Sequence, residues 1–144
     1  MFPFLHKDQK GAAAIEFAIV LPVLAVILFG TIDFALALYN KQVLTNASRE
    51  LARHAIILSN WENQAEMEKQ SDYIQKFCSE RLVSLFGDIA LENITPSVIE
   101  DPDDDTLIIA SISYPYTYMF SALPFFPDQG TGMISGRTTM RNEW

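Results

Sequence analysis

The sequence predicts an α+β protein: a long N-terminal transmembrane helix that continues into a small globular domain with a second helix and a three-stranded antiparallel sheet. Three observations carry this reading. An almost uncharged run fills positions 12 to 39, apolar residues then recur at spacings of three and four, and beyond Gly87 the apolar period shortens to two. With 144 residues the chain has room for one compact domain beside a membrane span and none for a multidomain enzyme.

The first element is the apolar run. From Phe17 to Ile32 no residue is charged, and Asp33 alone interrupts the stretch before Tyr39. This gives about 23 residues, enough to cross about 30 Å of hydrocarbon and more than the 7 to 15 of a secretory signal core. The stretch "LYNKQVLTN" that follows has no small-residue cleavage site, so the helix is expected to stay in the mature protein. Lys7 and Lys10 on one side are matched by Lys41, Arg49 and Arg53 on the other, and counting positive charges does not orient it. Pro22 removes a backbone hydrogen bond and predicts a kink, while Gly30 and Thr31 offer a flat patch for a neighbouring helix. A carboxylate at the centre of a membrane helix costs about 2.5 kcal/mol or more. Glu16, at the mouth of the run, therefore either has a partner or lies at the headgroup boundary. Asp33 falls about 25 Å further along, where it marks the exit or faces a partner helix.

The helix is expected to continue beyond the membrane. Leu44, Ala47, Leu51, Ala55 and Leu58 form an apolar stripe, with Gln42, Asn46, Arg49 and Arg53 on the other face. The Arg49 and Arg53 pair is a candidate contact for an acidic partner or simply a solvated face. From Ala12 to Leu58 the rod would be about 70 Å long. A second helix is predicted from about Asn60 to Phe86: Ser59 and Glu62 have capping-box spacing, and Gly87 suits its end. Its apolar face is Ile74, Phe77, Cys78, Leu82 and Leu85, with Arg81 at the edge.

Strands follow. "LENITPSVIE" reads as a first strand weakened by Pro96, and "TLIIASISYPYTYMF" as a longer one. In the latter Ile108, Ala110, Ile112, Tyr114, Tyr116, Tyr118 and Phe120 share a face opposite Ser111, Ser113 and Thr117. "EDPDDD" is the hairpin loop between them, and a third strand is expected from about Met133 to Arg141. In "SALPFFPDQGTG", Phe125 and Phe126 stand between prolines; they either plug the core or offer an apolar patch to a partner.

Several functions are disfavoured. The net charge is −8 and basic residues are not clustered, which argues against a nucleic-acid partner. Cys78 is the single cysteine, so it has no internal disulfide and no zinc or redox motif. Glu100, Asp101, Asp103, Asp104 and Asp105 supply hard oxygen ligands but lack EF-hand spacing, and no metal or cofactor is expected. His6 and His54 stand outside any motif, and no phosphate loop, nucleophile elbow or zinc-protease motif occurs. An enzyme is not expected.

A short basic leader ending in Gly11, then small and apolar residues, then Glu16 and Phe17, then a retained helix, resembles a type IV prepilin processing site. More narrowly, "GAAAIEFAIVLPVLAVILFGTIDFALALYNKQVLTNASRELARHA" is similar to the TadE-like family of minor pilins, or pseudopilins, of the tight-adherence (Flp) pilus system. The residues that carry the likeness include Gly11, Glu16, Phe17, Pro22, Phe29, Gly30, Asp33 and Tyr39, with a weaker echo in the closing "MRNEW". The resemblance implies a leader over residues 1–11 removed by a prepilin peptidase between Gly11 and Ala12, a transmembrane helix over 12–39 and a periplasmic domain over 40–144. It implies an inner-membrane protein, N terminus in the cytoplasm, that packs beside other minor pilins and the major pilin. Glu16 would then pair with the new amine on Ala12. Two alternatives remain open at this stage: a membrane-tethered periplasmic binding module with an uncleaved anchor, and a type II secretion pseudopilin.

Overall fold

A computed structural model describes residues 9–57, 64–85, 89–118 and 131–141. Helix α1 runs from Gln9 to Ile57, 49 residues, and passes through Pro22 without a break in the helix. It starts three residues before the expected Ala12 and ends one before the expected Leu58, which lies outside the described residues. The first half, from Gly11 to Ile32, has no buried residue. The second half is amphipathic as expected: Leu44, Ala47, Leu51 and Ala55 are buried, and Gln42, Asn46, Arg49 and Arg53 are exposed.

Helix α2 spans Gln64–Ser79, shorter than the 60–86 expected; both proposed stop and start signals, Gly87 and Ser59, lie outside the described residues. The early end has a local cause. The Glu80 amide still reaches the Lys76 carbonyl, but the Arg81 amide bonds to Cys78, a tighter turn that closes the helix. Val83 is then held from outside, its N–H donating to Asn40 Oδ1 (2.9 Å) and its carbonyl accepting from Asn40 Nδ2 (2.7 Å). Ile74, Cys78 and Leu82 are buried as expected, whereas Leu85 is exposed.

A 3₁₀ turn, Leu91–Asn93, precedes the sheet and takes up the start of the segment read as the first strand. Strand β1 is Thr95–Asp101, β2 is Asp104–Thr117 and β3 is Thr131–Arg141. They form an antiparallel meander in the order β1-β2-β3. Pro96 sits on the edge strand β1, opposite Ile112, where a missing N–H is tolerated. The acidic stretch is mostly strand rather than loop: Asp101 already pairs with Asp104, leaving only Pro102 and Asp103 as the turn. Two carboxylates stabilise this corner locally, Asp101 accepting from the Asp103 amide (3.0 Å) and Asp104 from the Thr106 amide and hydroxyl (3.0 and 2.6 Å).

One face of the sheet packs on α1. Ile108, Ala110, Ile112, Tyr114 and Tyr116 of β2 and Ile134 of β3 are buried there, while Ile99, Met133 and Ser135 of the opposite alternation are exposed. Tyr118, expected on the inner face, is exposed at the strand end, and Phe120 lies outside the described residues. Strand β3 and α1 run in the same direction side by side. A Cβ on Gly136 would collide with the backbone of Leu44 and Thr45, so glycine is what allows strand and helix to approach this closely. Further along, the hydroxyls of Ser48 and Thr138 are 2.7 Å apart.

Candidate functional site: the helix between anchor and domain

The candidate site is α1 itself. Its first turns carry the small residues Gly11 and Ala12. Among the described residues nothing beyond the helix's own backbone and the adjoining residues lies within 4 Å of where a Gly11 Cβ would stand, and Ala12, Glu16 and Phe17 are all exposed. Ala12 and Glu16 are four residues apart and therefore share one face of the helix. Between them and Ile32 the surface is apolar and bare, with Ile15, Phe17, Ile19, Val23, Leu24 and Ile27 each more than half exposed. By length and composition this helix is a candidate membrane span, and an N-terminal apolar surface of this size has the character of a membrane anchor.

Asp33 is where burial begins. It is 4% exposed, and the Tyr116 hydroxyl donates to its Oδ1 at 2.8 Å. Burial, and then the neighbouring Asp33 carboxylate, push the Tyr116 phenol well above its ordinary range, so it stays protonated and donates. Tyr118 meets Tyr116 edge to face with ring centroids 5.1 Å apart. About two turns further along, Asn40 is fully buried and holds Val83 through both the oxygen and the nitrogen of its side-chain amide. A buried carboxylate and a buried amide at the foot of a domain are costly unless satisfied. Here they act as pins that fix the sheet and the segment after α2 to the helix.

These pins are absent from the sequence reading, although a signal for them exists. Asp33, Ala37 and Asn40 extend the stripe of Leu44, Ala47, Leu51 and Ala55 backwards at the same spacing of three and four, with polar residues at two core positions. Reading those positions as core would have brought the domain down to Asp33. Arg49 and Arg53 project from the opposite side and are exposed; beside them Glu50 and His54 form an i, i+4 pair at 3.2 Å. Phe125 and Phe126 lie outside the described residues. Among the described residues no cluster of three or more metal-ligating side chains occurs. Cys78 is buried, and burial pushes its thiol up to about 11, which leaves it unreactive at neutral pH.

Searches among curated proteins and among solved structures found no match. A family model, TadE-like protein, matches residues 11–53. Its bounds follow the structure closely: it opens at Gly11, runs over the whole bare half of α1 and ends within the half that the domain covers. From Gly11 to Arg53 the chain is thus similar to the TadE-like family.

Proposed function

We propose that the protein is a minor pilin or pseudopilin of a tight-adherence pilus, acting in initiation, capping or stabilisation of the filament and not in catalysis. In this reading a prepilin peptidase removes residues 1–11 and the helix crosses the inner membrane with the domain in the periplasm. The apolar faces of neighbouring minor pilins and of the major pilin then pack beside it. The observation that carries the proposal is the TadE-like match, which begins at the proposed cleavage position, Gly11, and covers the bare apolar helix. The placement of Glu16 supports it. Cleavage would create an amine on Ala12 one helical turn away, about 6 Å along the axis, where it and the carboxylate neutralise each other within one chain or between adjacent chains. Alone, each charge is expensive in a bilayer; as a pair, both are far less so. Assembly is thereby tied to processing.

The test is the intact mass and N-terminal sequence of the protein from membranes of cells with and without the prepilin peptidase. A start at Ala12 that depends on the peptidase is expected. A chain that keeps its leader in both strains overturns the proposal and leaves a membrane-tethered module. Glu16→Ala is expected to insert and fold yet fail to enter pilus complexes, and undiminished piliation would remove the pairing argument.

A further inference from the structure

We propose that the β2–β3 end of the sheet is a second membrane contact, seated in the lipid headgroup layer beside the span, so that the domain rests on the bilayer instead of standing clear of it. The proposal rests on the apolar half of α1 lying in the membrane and does not depend on a role in a pilus.

The first argument is one of length. Residues 12 to 32 already give about 31 Å of helix, which fills the hydrocarbon core. Apolar exposure does not stop there. Phe34, Leu38 and Tyr39 are 65%, 51% and 49% exposed, prolonging the apolar surface by about 9 Å. Each headgroup layer is about 5 to 8 Å deep, so this prolongation spans it, and its aromatic residues are of the kind enriched at that depth. The sheet begins at the same level, because Tyr116 is bonded to Asp33. Thr117 and Thr131, the last pair of the β2–β3 ladder, are at that end.

Charge supplies the second argument. From Thr106 to Tyr118 in β2 and its end, and from Thr131 to Gly136 in β3, no residue is formally charged. The charged strand residues Glu100, Asp101, Asp104, Asp105 and Arg141 lie toward the opposite end, where Leu107 pairs with Arg141, and Arg137 pairs with Ser111 near the middle of the ladder. Asp33 is the one acid of α1 between Glu16 and Glu50, and it is buried and hydrogen-bonded. Exposed Tyr118 and Met133, the latter 67% exposed, line a groove of about 290 Å³ against Phe34, Ala37 and Leu38. Lys41 is the only charged residue among the described ones that line it. An apolar groove continuous with the span, bordered by a lysine that can extend toward phosphate, fits a lipid acyl chain and its headgroup.

The test uses the full chain in lipid nanodiscs with spin labels on single introduced cysteines, read by collision with oxygen, which concentrates in lipid, and with a water-soluble nickel chelate. Cys78, buried and with its thiol pushed up to about 11, is left in place and checked for labelling in the parent protein. Met133→Cys and Thr139→Cys are both exposed and share one face of β3, about 20 Å apart along the strand. Leu38→Cys reads the same layer from the helix, and Leu24→Cys marks the hydrocarbon. Met133→Cys and Leu38→Cys are expected within about 5 to 10 Å of the headgroup boundary, rich in oxygen collisions and poor in nickel, with Thr139→Cys in water. A Met133 label as open to nickel as Thr139, with Leu24 deep, overturns the proposal, because the domain then stands off the bilayer. A Met133 label shielded from both reagents also overturns it, since a protein surface then covers the patch. A Leu24 label in water would instead remove the membrane placement of α1 on which the proposal rests.

Discussion

The Tyr116 hydroxyl and the Asp33 carboxylate join parts of the chain 83 residues apart, and neither group has bulk water to fall back on. Removing the donor withdraws a hydrogen bond from a buried carboxylate, a loss of about 1–3 kcal/mol. Tyr116→Phe is therefore expected to lower the unfolding free energy of the detergent-solubilised protein by that amount in a urea titration, while leaving the helix in the membrane. A change within error would mean that the other neighbours of Asp33 suffice. Such a pairing is hard to read from sequence. An acid at the end of an apolar run looks like an exit marker, and its partner is a tyrosine in a strand where every second residue is equally suited to the core. Glu16 is legible by contrast, because its meaning depends on residues within one turn of it.

At the level of elements, the α1–β3 contact depends on an absent side chain. Gly136→Ala places a methyl group against the backbone of Leu44 and Thr45, which cannot turn aside as a side chain can. Overpacking of this kind costs about 1–3 kcal/mol. Thermal unfolding should show a clear loss for Gly136→Ala and a smaller one for Gly132→Ala, whose added methyl meets only the partly exposed Tyr118 ring, 2.9 Å away. Equal effects would argue that the helix yields. The three strands were legible because alternation over β2 is nearly unbroken and the turn chemistry of Pro102 and Asp103 lies between two apolar runs. The end of α2 was not legible. Its apolar spacing persists through Leu82 and Leu85, and what stops the helix is a local tight turn together with Asn40, a residue 43 positions from Val83.

For the whole molecule, the boundary between anchor and domain lies inside one helix. A chain cut to begin at Asn40, at the end of the apolar run, loses Asp33 and also Leu36 and Ala37, which pack against the core. An ectodomain beginning at Ile32 is expected to be more stable in solution than one beginning at Asn40, with a higher unfolding midpoint followed by circular dichroism. Identical midpoints would show that the lowest turns of contact contribute nothing. The architecture and the TadE-like resemblance of residues 11–53 were legible from hydropathy and a short N-terminal pattern, since both are local. The depth to which the domain reaches down the helix was not, because it is set by contacts between segments far apart in sequence.

The parallel course of α1 and β3 has a mechanical consequence. Helix α1 meets the sheet at three successive heights, Asp33 with Tyr116 of β2, then Leu44 with Gly136 and Ser48 with Thr138 of β3, and it has no joint between them. A pull along the helix axis therefore loads all three contacts together, in shear, instead of peeling them apart in turn. The domain travels with its anchor as a single piece, like a collar keyed to a shaft.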